Sequence, residues 1–191
     1  VVSISATGTI EPEEVIDVGA QVAGLILEFG KDPQHPDKFI DYGSSVEEGT
    51  VLARIDDSLF AARVAGAEAQ VAEGKARVEK SAADLRRAEA DLLQMQAKLR
   101  QADREWKRAQ QLTTTNAISA SEYDAAEAAF ESAQANVDVG KAAIDQAKAM
   151  ANQQDKALIA ADALLREAKR NLAYTTIRSP VKGVIVDRRV N

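Results

Sequence analysis

A seven-residue repeat constrains this chain more than any other feature. Val64, Val71, Val78, Leu85, Leu92, Leu99 and Trp106 recur at that spacing, and three places after each come Ala67, Gly74, Ser81, Ala88, Met95, Ala102 and Ala109. A second series, Tyr123, Phe130, Val137, Ile144, Ala151, Leu158, Leu165 and Leu172, keeps the same period. Its companions are Ala126, Ala133, Gly140, Ala147, Gln154, Ala161 and Ala168. Apolar residues spaced alternately three and four apart put one stripe on each helix, and a period of 3.5 winds two such stripes into a left-handed coiled coil. Proline is absent between residues 58 and 173, and Ala, Glu, Lys, Arg and Gln, all good helix formers, dominate there.

The interruption, Thr113-Thr114-Thr115-Asn116-Ala117-Ile118, divides the repeat into two arms of about 55 residues, each ~80 Å long as a helix. So short a break makes the arms antiparallel neighbours. With the turn centred near Asn116, facing residues have numbers that sum to 232. Leu92 then faces Gly140, Leu99 faces Ala133, Leu85 faces Ala147, Phe130 faces Ala102 and Leu158 faces Gly74. Nearly every layer joins a large side chain to a small one, which lets the helices approach while the large member fills the gap. Two layers depart: Ser81 against Ala151 has no large member, and Val78 meets Gln154. Ser119-Ala120-Ser121-Glu122 has the form of a capping box, with Ile118 and Tyr123 as a hydrophobic staple. Asp56 or Asp57 can cap the first arm.

The flanks have a different texture. Val15-Ile16-Asp17-Val18 and Val51-Leu52-Ala53-Arg54-Ile55 read as short strands, and Gly24, Gly43 and Gly49 as turns. The stretch from Gly30 to Asp37, with two prolines, reads as an exposed loop. After the repeat, Thr175 to Pro180 and Gly183-Val184-Ile185-Val186 return to β character. The expected fold class is therefore α+β, a long antiparallel coiled-coil hairpin inserted between two β-segments.

Coiled-coil hairpins serve many purposes, and the flanks narrow the choice. Val18-Gly19-Ala20-Gln21-Val22-Ala23-Gly24-Leu25-Ile26, followed by Gly43-Ser44-Ser45-Val46-Glu47-Glu48-Gly49-Thr50-Val51-Leu52-Ala53-Arg54-Ile55-Asp56, resembles the first lipoyl half-motif of HlyD-type periplasmic adaptors, or membrane-fusion proteins. Leu172-Ala173-Tyr174-Thr175-Thr176-Ile177-Arg178-Ser179-Pro180-Val181-Lys182-Gly183-Val184-Ile185 resembles the start of the second half. The resemblance implies an opening strand near a β-barrel domain at residues 1–14, a first lipoyl half at 15–56, a hairpin at 57–173 with its tip at 113–118, and a truncated second half at 174–191. The chain opens and stops in mid-pattern, as an excised piece would. The Gly30–Asp37 loop departs from the family pattern and reads as a surface insertion.

The family resemblance also assigns a role to the tip. Adaptors that dock on TolC-type channels carry Arg, then Leu four places on, then Ser seven further, and here these are Arg108, Leu112 and Ser119. The plainer alternative makes them a solvated helix residue, the last apolar residue of an arm and an N-cap. The resemblance implies a tripartite efflux or secretion pump: a ring of copies in the periplasm, anchored to the inner membrane, joining an inner-membrane transporter to a TolC-type outer-membrane channel. Long arms and the similarity of Val18–Val22 to adaptors of macrolide-type ABC exporters favour an ABC partner over an RND one. The competing readings are a non-transport coiled-coil scaffold and a lipoyl- or biotinyl-type carrier, for which Lys182 would have to sit at an exposed hairpin tip.

Composition removes several other classes. Lys plus Arg is 24 against Asp plus Glu at 30, and a net charge of −6 without a basic block argues against nucleic acid as a partner. Without cysteine there is neither a disulfide nor thiol chemistry. No nucleophile–base pair, phosphate loop or metal spacing is visible, and His35 beside two prolines reads as loop surface. The expectation is a non-enzyme without cofactor or metal. No apolar run approaches the ~18 residues that cross a bilayer.

Overall fold

The computed structural model describes residues 14–115 and 117–189. The expected opening strand at 1–14 lies almost wholly outside them. Five strands and two helices follow one another: β1 (Ile26–Phe29), β2 (Ser45–Val46), β3 (Val51–Ile55), α1 (Ser58–Thr113), α2 (Ala120–Ala173), β4 (Thr176–Arg178) and β5 (Gly183–Val184).

The β-part is joined across the helical insertion. β3 is the central strand of a three-stranded sheet, antiparallel to β1 on one side and to β4 on the other, with Ile26 opposite Ile55 and Ala53 opposite Ile177. A second ladder pairs β2 with β5, Ser45 opposite Val184 and Val46 opposite Gly183. Backbone bonds continue the stitching: Ser179 N–H donates to the Thr50 carbonyl at 2.9 Å, Gly49 N–H to the Ser179 carbonyl at 2.8 Å, and the Arg178 guanidinium to the Gly49 carbonyl at 2.9 Å. Each segment alone offers strands of two to five residues, too little for independent stability. Together they bury Ile40, Val46, Ala53, Ile55 and Phe60, with Thr175 and Ser179. The two flanking segments thus form one β-domain, with strands contributed from both sides of the helical insertion. Gly43 and Gly49, at φ 79° and 82°, supply the left-handed turns that bring β2 and β3 into place.

One expectation changes. Val15-Ile16-Asp17-Val18 forms no strand; Val15, Ile16 and Val18 are exposed, and no described strand lies beside them to complete a ladder. β-propensity without a partner leaves a segment merely extended. The Gly30–Asp37 loop is exposed as expected except at Gly30 and Asp32. Lys31 bridges to Phe39, and the Asp32 side chain is buried, accepting hydrogen bonds from Gln34 N–H at 2.8 Å and the Ser44 hydroxyl at 2.7 Å. The Ser44 hydroxyl, then the Gln34 N–H, hold this carboxyl below its ordinary range.

The hairpin keeps the register that the repeat implies. The α-carbon position of Gly74 faces Leu158, and that of Gly140 faces Leu92, with Met95 alongside. A methyl group on Gly140 would come within 2.8 Å of the Met95 sulfur and 3.0 Å of Leu92, so glycine there permits the close approach. The buried hairpin residues Ala67, Val71, Ser81, Ala102, Ala109 and Val137 all fall on the two repeat positions. At the layer without a large member, the Ser81 hydroxyl turns back to the Val78 carbonyl at 2.8 Å. A shallow groove of about 460 Å³ runs alongside, lined by Ser81, Asp84, Ala147, Met150 and Gln154 among others.

Candidate docking tip

The tip is built by capping at both of its ends. α1 stops because three successive threonines take over its last carbonyls. Thr113 donates its hydroxyl to the Ala109 carbonyl at 2.9 Å, Thr114 to that of Gln111 at 2.6 Å and Thr115 to that of Leu112 at 2.9 Å. The Leu112 carbonyl also accepts N–H groups from Thr115 at 3.2 Å and Ala117 at 3.0 Å. The bonds to Gln111 and Leu112 satisfy carbonyls that a helix end leaves without partners, while the one to Ala109 folds the Thr113 hydroxyl back onto the preceding turn. In the sequence Thr113-Thr114-Thr115 reads only as a break; hydroxyls three or four residues after a carbonyl are the available signal.

α2 starts with the expected capping box. Glu122 N–H donates to the Ser119 hydroxyl oxygen at 3.3 Å, and the Glu122 carboxylate accepts the Ser119 N–H at 3.0 Å and its hydroxyl at 2.8 Å. The Ser119 N–H, then its hydroxyl, hold the Glu122 carboxyl below its ordinary range. Next to this turn the Trp106 and Tyr123 rings meet with centroids 4.7 Å apart and planes tilted by 57°, joining adjacent seam layers. The base of α1 is fixed likewise: the Asp57 carbonyl accepts the first helical bond from Ala61 at 2.7 Å, and the Asp56 carboxylate accepts Ser58 N–H at 3.0 Å.

On this frame Arg108, Leu112 and Ser119 are all exposed, and Leu112 shows 39% of its surface. Arg108 and Leu112 lie one turn apart on α1, and Ser119 begins α2 across the break. The geometry offers an exposed guanidinium, a small apolar contact and a hydroxyl already engaged in a cap. Such a set can recognise a protein surface. Among the described residues no cluster of His and carboxylates is arranged to hold a metal. Lys182, in the turn between β4 and β5, pairs with Glu47 at 2.8 Å; that hydrogen bond and charge raise its pKa.

The architecture defines a class: a capped antiparallel hairpin inserted between two halves of one β-domain. Residues 84–150 match the family model described as the RND membrane-fusion-protein (MFP) alpha-helical hairpin domain. Similar solved structures include MacA from Actinobacillus actinomycetemcomitans, at 24% identity over 94% of this chain and 44% of that one, TM-score 0.38. The periplasmic adaptor protein EmrA is 15% identical over 94% of this chain and 67% of that one, TM-score 0.46. A MacA–MexA chimera carrying the Pseudomonas aeruginosa MexA α-hairpin is 24% identical over 92% of this chain and 40% of that one, TM-score 0.30. The chain thus spans less than half the length of the MacA structure. No curated protein matches it significantly.

Proposed function

We propose that this chain is the central part of a periplasmic adaptor that links an inner-membrane transporter to a TolC-type outer-membrane channel. The observation that carries the reading is the match of the hairpin segment to the membrane-fusion family, on a hairpin whose capped tip exposes Arg108, Leu112 and Ser119 together. In this reading residues 15–56 and 174–191 are the two lipoyl halves, and 57–173 is the docking hairpin. Arg108 gives charge-assisted hydrogen bonds to the channel, Leu112 fills a small apolar groove, and Ser119 is both cap and contact. Copies form a ring in the periplasm, anchored at the inner membrane in the full-length protein. The subunit catalyses nothing; the transporter supplies the energy.

An ABC transporter is the partner favoured by the arm length and by the Val18–Val22 segment, while the family model's own description names RND. The test is co-purification of the full-length protein from its native membrane. Recovery of a channel together with an ABC transporter supports the whole reading. An RND transporter with the channel changes only the motor. A coiled-coil scaffold predicts that neither is recovered.

A further inference from the structure

The two outer edges of the hairpin differ in charge. Residues one, two and five places after each large residue of the seam point away from it, because steps of 100° carry them to the opposite side of the helix. On α1, the edge so defined between residues 86 and 108 carries Arg86, Arg87, Arg100, Arg104, Lys107 and Arg108 and no acidic residue; all six are exposed. On α2, the same edge between residues 124 and 146 carries Asp124, Glu131, Asp138 and Asp145 and no basic residue, again all exposed. The Gly74–Leu158 and Gly140–Leu92 contacts fix the levels along the hairpin, and these two stretches lie side by side at the same levels. Down the middle of each edge runs a row of exposed alanines, Ala83, Ala90 and Ala97 on α1, Ala135, Ala142 and Ala149 on α2, also at matching levels.

We propose that the basic α1 edge of one copy packs against the acidic α2 edge of the next, at equal height, in a head-to-tail contact that repeats around a ring. This deepens the ring reading given above by naming its seam. The contact has the same antiparallel geometry as the seam within the hairpin, so its layers are fixed. Arg87 meets Asp145 and Arg108 meets Asp124, while Leu93 and Val139, each more than half exposed in one copy, share a layer. The alanine rows let the helices close without a steric barrier. Lys107 and Asp138 have partners within their own helices, Asp103 and Lys141, each at 2.8 Å. Exposed pairs of this kind are weak and exchange readily for partners across an interface. Because the edges differ, the contact is heterologous and closes only as a ring or continues as a row. Opposite charge at matched height also disfavours α1–α1 pairing, which would set arginine against arginine.

The chain has no cysteine, so introduced thiols report cleanly. Ala90→Cys and Ala142→Cys are level but on opposite edges of one hairpin. Across two packed helices that is roughly 13 Å between α-carbons, beyond disulfide reach. A mixture of full-length Ala90→Cys and Ala142→Cys proteins, mildly oxidised, should form heterotypic dimers, and either protein alone should not. Arg87→Glu in the Ala90→Cys protein should lower the yield about tenfold, and Asp145→Arg in its partner should restore it. Circular dichroism confirms that each variant folds. Homotypic cross-links, no cross-links, or an Arg87→Glu yield that Asp145→Arg does not rescue would overturn the proposal. Failure here with channel co-purification intact condemns the seam alone. Cross-linking without channel recovery condemns the adaptor reading alone.

Discussion

The hairpin and the β-domain of this chain hold together in opposite ways. The hairpin is a local repeat: each layer is specified by residues seven apart and by the distance to the turn, so Leu92 against Gly140 and Leu158 against Gly74 follow from counting. The β-domain depends on pairing over the greatest separations in the chain. β3 meets β4, and β2 meets β5, only after the whole hairpin has intervened. The first kind of structure spreads its stability over many similar layers. The second concentrates it in a few contacts that must form together.

The comparison breaks most readily at a seam layer. Leu92→Asp would place a carboxylate in a half-buried seam layer against Gly140 and remove the leucine's packing there, and should cost about 2–4 kcal/mol, seen as a large fall in the helical melting temperature. Gln154→Leu, in the layer that already lacks good packing, should cost under about 1 kcal/mol or stabilise. Equal losses at the two sites would contradict the register.

In the β-domain, Ile55→Ala removes a fully packed side chain from the central strand and should cost about 2–4 kcal/mol. Its signature is cooperative. Hydrogen exchange should rise together at residues 26–55 and 175–185, while the amides of 85–150 keep their protection. Exchange confined to one of the two β-segments would show that they do not form one unit.

Legibility followed the same division. The arms, their register and the capping box at Ser119 are legible because each depends on short sequence intervals. The threonine caps were less visible, since hydroxyl-to-carbonyl bonds at a helix end leave no periodic pattern. The Val15–Val18 expectation failed because a strand needs a neighbour, and neighbours in this domain come from far along the chain. Asp32 lies in a polar stretch that looks exposed, and only the partner Ser44, twelve residues on, shows why it is buried.

A smaller effect sharpens the account at the tip. The Glu122 carboxyl sits below its ordinary value because its charged form accepts bonds from Ser119. A depressed carboxylate contributes stability above its unfolded pKa, near 4.5, and loses it as pH falls through the lower folded value. Exchange at residues 119–123 should therefore accelerate in acid. Glu122→Gln, which can still complete the box, should flatten that local dependence. No change in pH dependence between the two proteins would mean that the carboxylate is not held as described.

The central claim concerns what the tip touches, and the most direct measurement is cross-linking of the tip to a purified TolC-type channel. Arg108→Asp lies at an exposed position and should shift the melting temperature little, yet it should abolish the cross-link and export. Asp124→Arg added to it restores opposite charge between neighbouring hairpins, which separates loss of docking from loss of ring contacts. The account predicts that the double variant recovers self-association and still fails to cross-link to the channel. A folded Arg108→Asp protein that cross-links and exports normally would contradict it, leaving Arg108, Leu112 and Ser119 as helix-end chemistry alone.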